Sequence, residues 1–193
     1  MNSIANLKSV LTMGFALALA LSAGSASAKP AGSKFTLTSP SFTQNGPIPE
    51  KHYWNQMGCT GGNVSPELHW SGAPEGTKSF AITVHDDDVP TGSGFWHWVA
   101  YDIPVGVTSL EEGATDGKLP SGTVEGNTDL GKPGWFGSCP PVGRKHHYTY
   151  TVYAVKTEKL DAPKGATAAY VGFVLWQSTL AKTTLTGTAG PRK

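Results

Sequence analysis

Charge is scarce in this sequence and neither sign dominates: 15% of its 193 residues are charged, with 15 Lys and Arg against 14 Asp and Glu. Without a polybasic run, attraction to nucleic acid or to an anionic membrane surface is not its working principle. Cysteine is nearly absent, with only Cys59 and Cys139. A disulfide mesh is excluded, and no Cys-x-x-Cys or His-x-x-x-His spacing offers a ready structural metal site. The Gly-x-Ser-x-Gly elbow of many hydrolases is also missing. Helical periodicity is rare, because from Pro104 to Leu130 the glycines and Pro120 interrupt any 3.6-residue apolar repeat. A parallel sheet with crossover helices does not fit such connections.

One long apolar stretch is present, and it stands apart. Lys8 precedes the run Val10 to Leu21, followed by the small-residue site Ala26-Ser27-Ala28. That order of charge, short apolar core and small residues is a secretory signal, and the run falls short of the roughly 20 residues a membrane-spanning helix needs. We expect residues 1–28 to be cleaved and residues 29–193 to form one domain with its core over about 35–188. The expected location is periplasmic or secreted, without stable membrane insertion. No Cys follows Ala28, so lipid attachment there is not indicated. An oxidising compartment makes Cys59 and Cys139 a candidate disulfide, with two buried free thiols as the alternative. The first 34 and last four residues are the expected disordered ends.

Short runs rich in Val, Ile, Thr, Tyr, Phe and Trp, punctuated by Gly and Pro, predict a largely antiparallel β-sandwich. Three strands are clear enough to assign faces. Along Ser79 to Asp86, Phe80, Ile82 and Val84 share a face that ends on Asp86. Along Phe95 to Ile103, strict alternation puts Phe95, His97, Val99, Tyr101 and Ile103 on one face and Trp96, Trp98 and Ala100 on the other. Along His146 to Val155, His146, Tyr148, Tyr150 and Val152 share a face. A helix is expected over Ala166 to Ala181, after the breaker Pro163-Lys-Gly165, and a terminal strand over Thr183 to Thr188.

The polar residues fall at strand ends. A hairpin through Asp87 to Gly94 brings Asp86 and His97 to the same end of the sheet. The loop Gly134 to Pro141 suits a rigid rim, since its glycines permit close backbone approach and its prolines fix the chain. Spacing alone does not bring His146 there. An aspartate beside two imidazoles suits a phosphomonoester, a phosphodiester or a zwitterionic head group, although Asp86 repels a fully ionised anion. His52, His69, His85 and His147 read first as structural residues.

Asp86-Asp-Asp-Val-Pro90, Phe95-Trp-His97, Gly137-Ser-Cys-Pro-Pro141 and His146-His-Tyr148 stand in the order and spacing of the phosphatidylethanolamine-binding, or Raf-kinase-inhibitor-like, family, which the chain resembles. Gly61-Gly-Asn-Val-Ser-Pro66, Gly76-Thr-Lys-Ser79, Gly92-Ser-Gly94 and Leu180 to Gly187 look like its bacterial branch, so the resemblance covers about Phe35 to Gly187. It implies a mostly β fold, a Greek-key antiparallel sandwich with one C-terminal α-helix. It also implies a small anion pocket formed by Asp86, Asp88, Pro90, His97, Gly137, Pro140, Pro141 and His146. Asp87 and Val89 depart from the family's Asp-Pro-Asp-Ala-Pro motif, Phe95 stands where Trp is usual, and Cys139 replaces the second loop glycine.

The resemblance implies a non-enzymatic binding protein, here exported on the signal above, for a small phosphorylated or otherwise anionic ligand, needing no cofactor and acting on a protein partner as kinase or protease inhibitors do. Three alternatives are weighed beside it. A phosphoester hydrolase would use Asp86 and a histidine as acid and base, but it lacks a nucleophile, since Ser138 sits in a Pro-bounded loop without an assigned base. A metal site would use Asp86, His97 and His146. An interaction protein would bind through a surface outside the pocket.

Overall fold

The computed structural model describes residues 34–193, so the signal expected over 1–28 lies outside the described residues. Eight strands and one α-helix follow in the order β1 (Thr36–Thr38), β2 (Leu68–Ser71), β3 (Ser79–Asp86), β4 (Phe95–Pro104), β5 (Ser109–Leu110), β6 (Val124–Glu125), β7 (His146–Val155), α1 (Ala168–Ser178) and β8 (Thr179–Ala189). They make two antiparallel sheets, a small one in the order β1-β2-β5 and a large one in the order β6-β4-β3-β7-β8. A mostly β architecture with one late helix is therefore present.

The large sheet is buried on both faces, which is why its central strands are so apolar. One face carries Ile82, Val84, Trp98 and Tyr150 and packs against Leu37, Leu68, Trp70 and Leu110 of the small sheet. The other carries Ala81, Val99 and Tyr101 and packs against Val171, Val174 and Leu175 of α1. Small sheet, large sheet and helix thus form three layers.

β4 does not alternate strictly, and the departure shapes the site. Its partners on β3 jump from Trp98 opposite Val84 to Trp96 opposite His85, so His97 is an inserted residue. A second insertion lies where the partners jump from Ile103 to Ala100. There Asp102 adopts a left-handed conformation with φ 58°, and its carboxylate accepts the Leu160 N–H at 2.8 Å. Two bulges each shift the alternation by one residue. His97 consequently shares a side with Trp98, Ala100 and Ile103, while Val99 and Tyr101 turn to the helix. The expectation that His97, Val99 and Tyr101 share a face is corrected accordingly.

The boundary between helix and last strand also moves. Thr167 caps α1, its hydroxyl accepting the Tyr170 N–H at 3.3 Å. The expected helix to Ala181 stops at Ser178, and β8 begins at once because Thr179, Ala181 and Lys182 pair with Val155, Ala154 and Tyr153 of β7. Ladder formation outweighs the helix preference of Leu180-Ala-Lys182.

Cys59 and Cys139 are disulfide-bonded across a sequence separation of 80. In the chain-entropy account, a loop of that length stabilises the fold by about 4 kcal/mol. Replacing both cysteines by Ser should lower the unfolding free energy by about 2–4 kcal/mol. Guanidinium denaturation of wild type and variant checks this, and equal midpoints would contradict it.

Candidate functional site

Asp86 ends β3 with 1% of its surface exposed. A carboxylate buried so deeply must have its oxygens satisfied. Oδ1 accepts the Asp88 N–H at 2.9 Å, which folds the chain back into the loop, and Oδ2 accepts from His146 Nδ1 at 2.8 Å. The sheet register makes that second bond available: Asp86 lies opposite Tyr148 of β7, and His146 is two residues away on the same face. His97 arrives from the bulge in β4 and sets its ring edge on Tyr148, with centroids 5.1 Å apart.

The partners determine the tautomers. A carbonyl or carboxylate oxygen only accepts, so each Nδ1 carries the proton. His97 Nδ1 donates to the Phe136 carbonyl at 2.8 Å, as His146 Nδ1 does to Asp86. Where a ring carries no second proton, its Nε2 is left as an acceptor. Burial pushes the His97 imidazole below its ordinary value of 6.5, against the opposing pull of the Phe136 carbonyl and the Asp86 charge. Burial and the Asp86 charge push the Tyr148 phenol up, so it stays protonated.

A cavity of about 340 Å³ opens above these groups, a size that suits a small molecule. Asp86, Pro90, His97, Pro141 and His146, all expected from the sequence, line it. Asp88, Gly137 and Pro140 do not. Asp88 turns outward to His147, accepting from its backbone N–H at 2.7 Å and from its ring at 2.8 Å. Burial opposes ionisation there, but these bonds hold the Asp88 carboxyl below its ordinary range. Gly137 braces the site from behind: a Cβ there would collide with the His52 carbonyl, and its N–H reaches Asn63 Oδ1 at 2.9 Å. Pro140 contributes its carbonyl to the rim, where Arg192 Nε donates to it at 2.6 Å.

Several lining residues escaped the sequence reading. Trp54, Phe136 and Leu130 form apolar wall, and Arg192 adds a cation. The aromatic pair Trp54 and Phe136 meets edge to face with centroids 5.8 Å apart. Their distance along the chain left no local signal. Arg192 falls within the four residues expected to be disordered, yet the Gly190 N–H donates to the Tyr53 hydroxyl at 2.9 Å and the Gly143 N–H to the Arg192 carbonyl at 3.0 Å. Those bonds anchor the segment and correct that expectation.

The other histidines have local partners. His85 pairs with Asp87 at 2.8 Å and exposed His69 with Glu67 at 2.6 Å, while buried His52 bonds the Val64 carbonyl at 2.7 Å. Among the described residues no three His, Cys, Asp or Glu side chains are grouped to hold a metal ion. Asp86, His97 and His146, weighed above as a metal set, are therefore not such a group in this geometry.

Comparison with known proteins agrees with this layout. The sequence profile of the family described as phosphatidylethanolamine-binding protein matches residues 38–190. UPF0098 protein YbcL of Escherichia coli (strain K12) is 47% identical over 156 residues, covering 79% of this chain and 85% of that protein. The YbcL crystal structure, described as a new member of the mammalian PEBP family, superposes with a TM-score of 0.77 at 45% identity over 80% of this chain and 97% of its own. The crystal structure of CT736 from Chlamydia trachomatis follows at a TM-score of 0.68 and 30% identity, over 80% and 95% of the two chains. LppC of Mycobacterium tuberculosis (strain ATCC 25618 / H37Rv), named as a candidate lipoprotein, is 35% identical over 82% of this chain and 74% of that protein.

The depressed His97 value has a consequence for stability. The folded ring resists a proton that the unfolded ring accepts below about 6.5, so stability is fully present above that pH and declines as pH falls toward the folded value. His52, also pushed down chiefly by burial, acts in the same direction. The melting temperature should fall between pH 7.5 and pH 5.5, and less steeply in His97→Gln. Thermal unfolding monitored by tryptophan fluorescence checks this. An equal slope in the variant would contradict the account.

Proposed function

Because the chain belongs to the phosphatidylethanolamine-binding protein family, we propose that it is a non-enzymatic binding protein whose pocket takes a small phosphorylated or otherwise anionic head group. The observation that carries this is the convergence of Asp86, His97 and His146 on one small cavity with aromatic and aliphatic walls. Each imidazole presents Nε2 to a ligand, and that atom accepts from a protonated phosphate oxygen or, once protonated itself, donates to an ionised one. Through the two histidines alone, binding a full anion would draw in a proton, which would also offset the repulsion from Asp86.

Turnover is not part of the proposal. Ser138 is 1% exposed and absent from the cavity wall, and among the described residues no other serine or threonine lines the cavity to act as a nucleophile. Export is part of it. The segment Lys8 to Ala28 has the form of a signal, the Cys59–Cys139 bridge suits an oxidising compartment, and the relative LppC carries a lipoprotein name. Action on a protein partner would then concern proteins outside the cytoplasm.

Calorimetry with inorganic phosphate, phosphoethanolamine and acetate tests the pocket. Losing a hydrogen bond to a charged ligand weakens binding about 10–100-fold, so His97→Ala and His146→Ala should each lose roughly tenfold or more. Unchanged affinity in both variants would remove the pocket from the account, and phosphoester turnover abolished by Asp86→Asn would make the protein an enzyme.

A further inference from the structure

The proposed pocket has an electrostatic difficulty that its three polar groups do not resolve. Asp86 is a buried carboxylate, and an imidazole that carries no second proton offers a ligand only an acceptor at Nε2. An ionised ligand needs a permanent positive partner, or it must bring a proton for each histidine it contacts.

Among the described residues that line this cavity, Arg192 is the one Lys or Arg. It lies two residues beyond the family match. Its position is built in. Nε donates to the Pro140 carbonyl at 2.6 Å and Nη1 to the Gly58 carbonyl, and these acceptors adjoin the bridged Cys139 and Cys59. The disulfide thus holds together the two carbonyls that grip the guanidinium. Five N–H groups are available on that fork and these bonds use two, while among the described residues no carboxylate pairs with it. An arginine braced on one edge and unpaired on the other, at the wall of a cavity, is arranged to receive an oxyanion.

Resting on the pocket proposed above, we infer that Arg192 is the anion-pairing and specificity-determining residue of this protein. It selects small ligands that join an ionised phosphoryl, phosphonyl or carboxylate group to an apolar substituent. The substituent would lie against Trp54, Leu130 and Phe136, and the oxyanion would lie between the guanidinium and the His97 and His146 rings. Arginine stays charged at any physiological pH. It therefore decouples anion binding from histidine protonation.

Calorimetry with phenylphosphonate, and with benzyl alcohol as its neutral counterpart, tests the inference at pH 6 and pH 8 in wild type, Arg192→Gln, Arg192→Lys and His97→Ala. Wild type should hold phenylphosphonate at pH 8 within about threefold of its pH 6 affinity. Arg192→Gln should lose about tenfold or more at pH 8 and less at pH 6, with Arg192→Lys between them. Benzyl alcohol should bind wild type and Arg192→Gln alike, showing that the walls are intact. If Arg192→Gln stays within twofold of wild type at pH 8 while His97→Ala loses binding, Arg192 is not the anion partner and the pocket stands. If Arg192→Gln loses both probes alike, the residue only braces the rim and the inference fails. If phenylphosphonate binds wild type at neither pH, the pocket itself is refuted and the inference with it.

Discussion

The hydrogen bond between Asp86 Oδ2 and His146 Nδ1, buried at the end of the large sheet, is the constraint on which the site depends. A carboxylate taken out of water costs several kcal/mol unless it is paired. Here the two adjacent strands supply the pairing through their register alone. The Asp88 N–H satisfies the other oxygen, and that second bond bends the chain after β3 into its loop. The next two aspartates then turn outward, Asp87 to His85 and Asp88 to His147. One acidic triplet is thereby divided into one buried pair that lines the cavity and two outer pairs.

Much of this was legible in the sequence. β3 and β7 run between their expected ends because alternating apolar residues with a polar terminus have one good placement on a sheet with a buried face. Asp86 and His97 meet as a hairpin requires. The bulges in β4 were not legible, since period-two alternation carries no sign of an inserted residue until the partner strand is known. The helix end was misplaced for a related reason: Leu180 to Lys182 favour a helix locally, and only the pairing of Thr179, Ala181 and Lys182 with β7 makes the segment strand. Arg192 was missed because its anchors, Tyr53, Gly58, Pro140 and Gly143, are remote in sequence or lie in a loop without a local pattern.

The departures from the family motif gather around the mouth. Cys139, standing where the family has a glycine, is bonded to Cys59 and lines the cavity. Its bridge adjoins the carbonyls that hold Arg192, so the extra covalent link and the extra cation belong to one rim. Arg144 and Lys145 lie on the outer side of the same mouth, beside Pro90, Pro141 and His146, which also line the inner cavity. Positive charge placed there favours the approach of an anion and partly offsets Asp87 and Asp88.

Nitrogen-15 NMR of the imidazole rings reads the central claim most directly, because it reports the protonation of each ring nitrogen. In the free protein at pH 7.5, His97 and His146 should both show a protonated Nδ1 and an unprotonated Nε2. Added inorganic phosphate should move the Nε2 signals of those two rings and leave His52 and His69 in place. Resonances of His97 and His146 that stay fixed at saturating phosphate, or a proton found on Nε2 of both rings without it, would contradict the account.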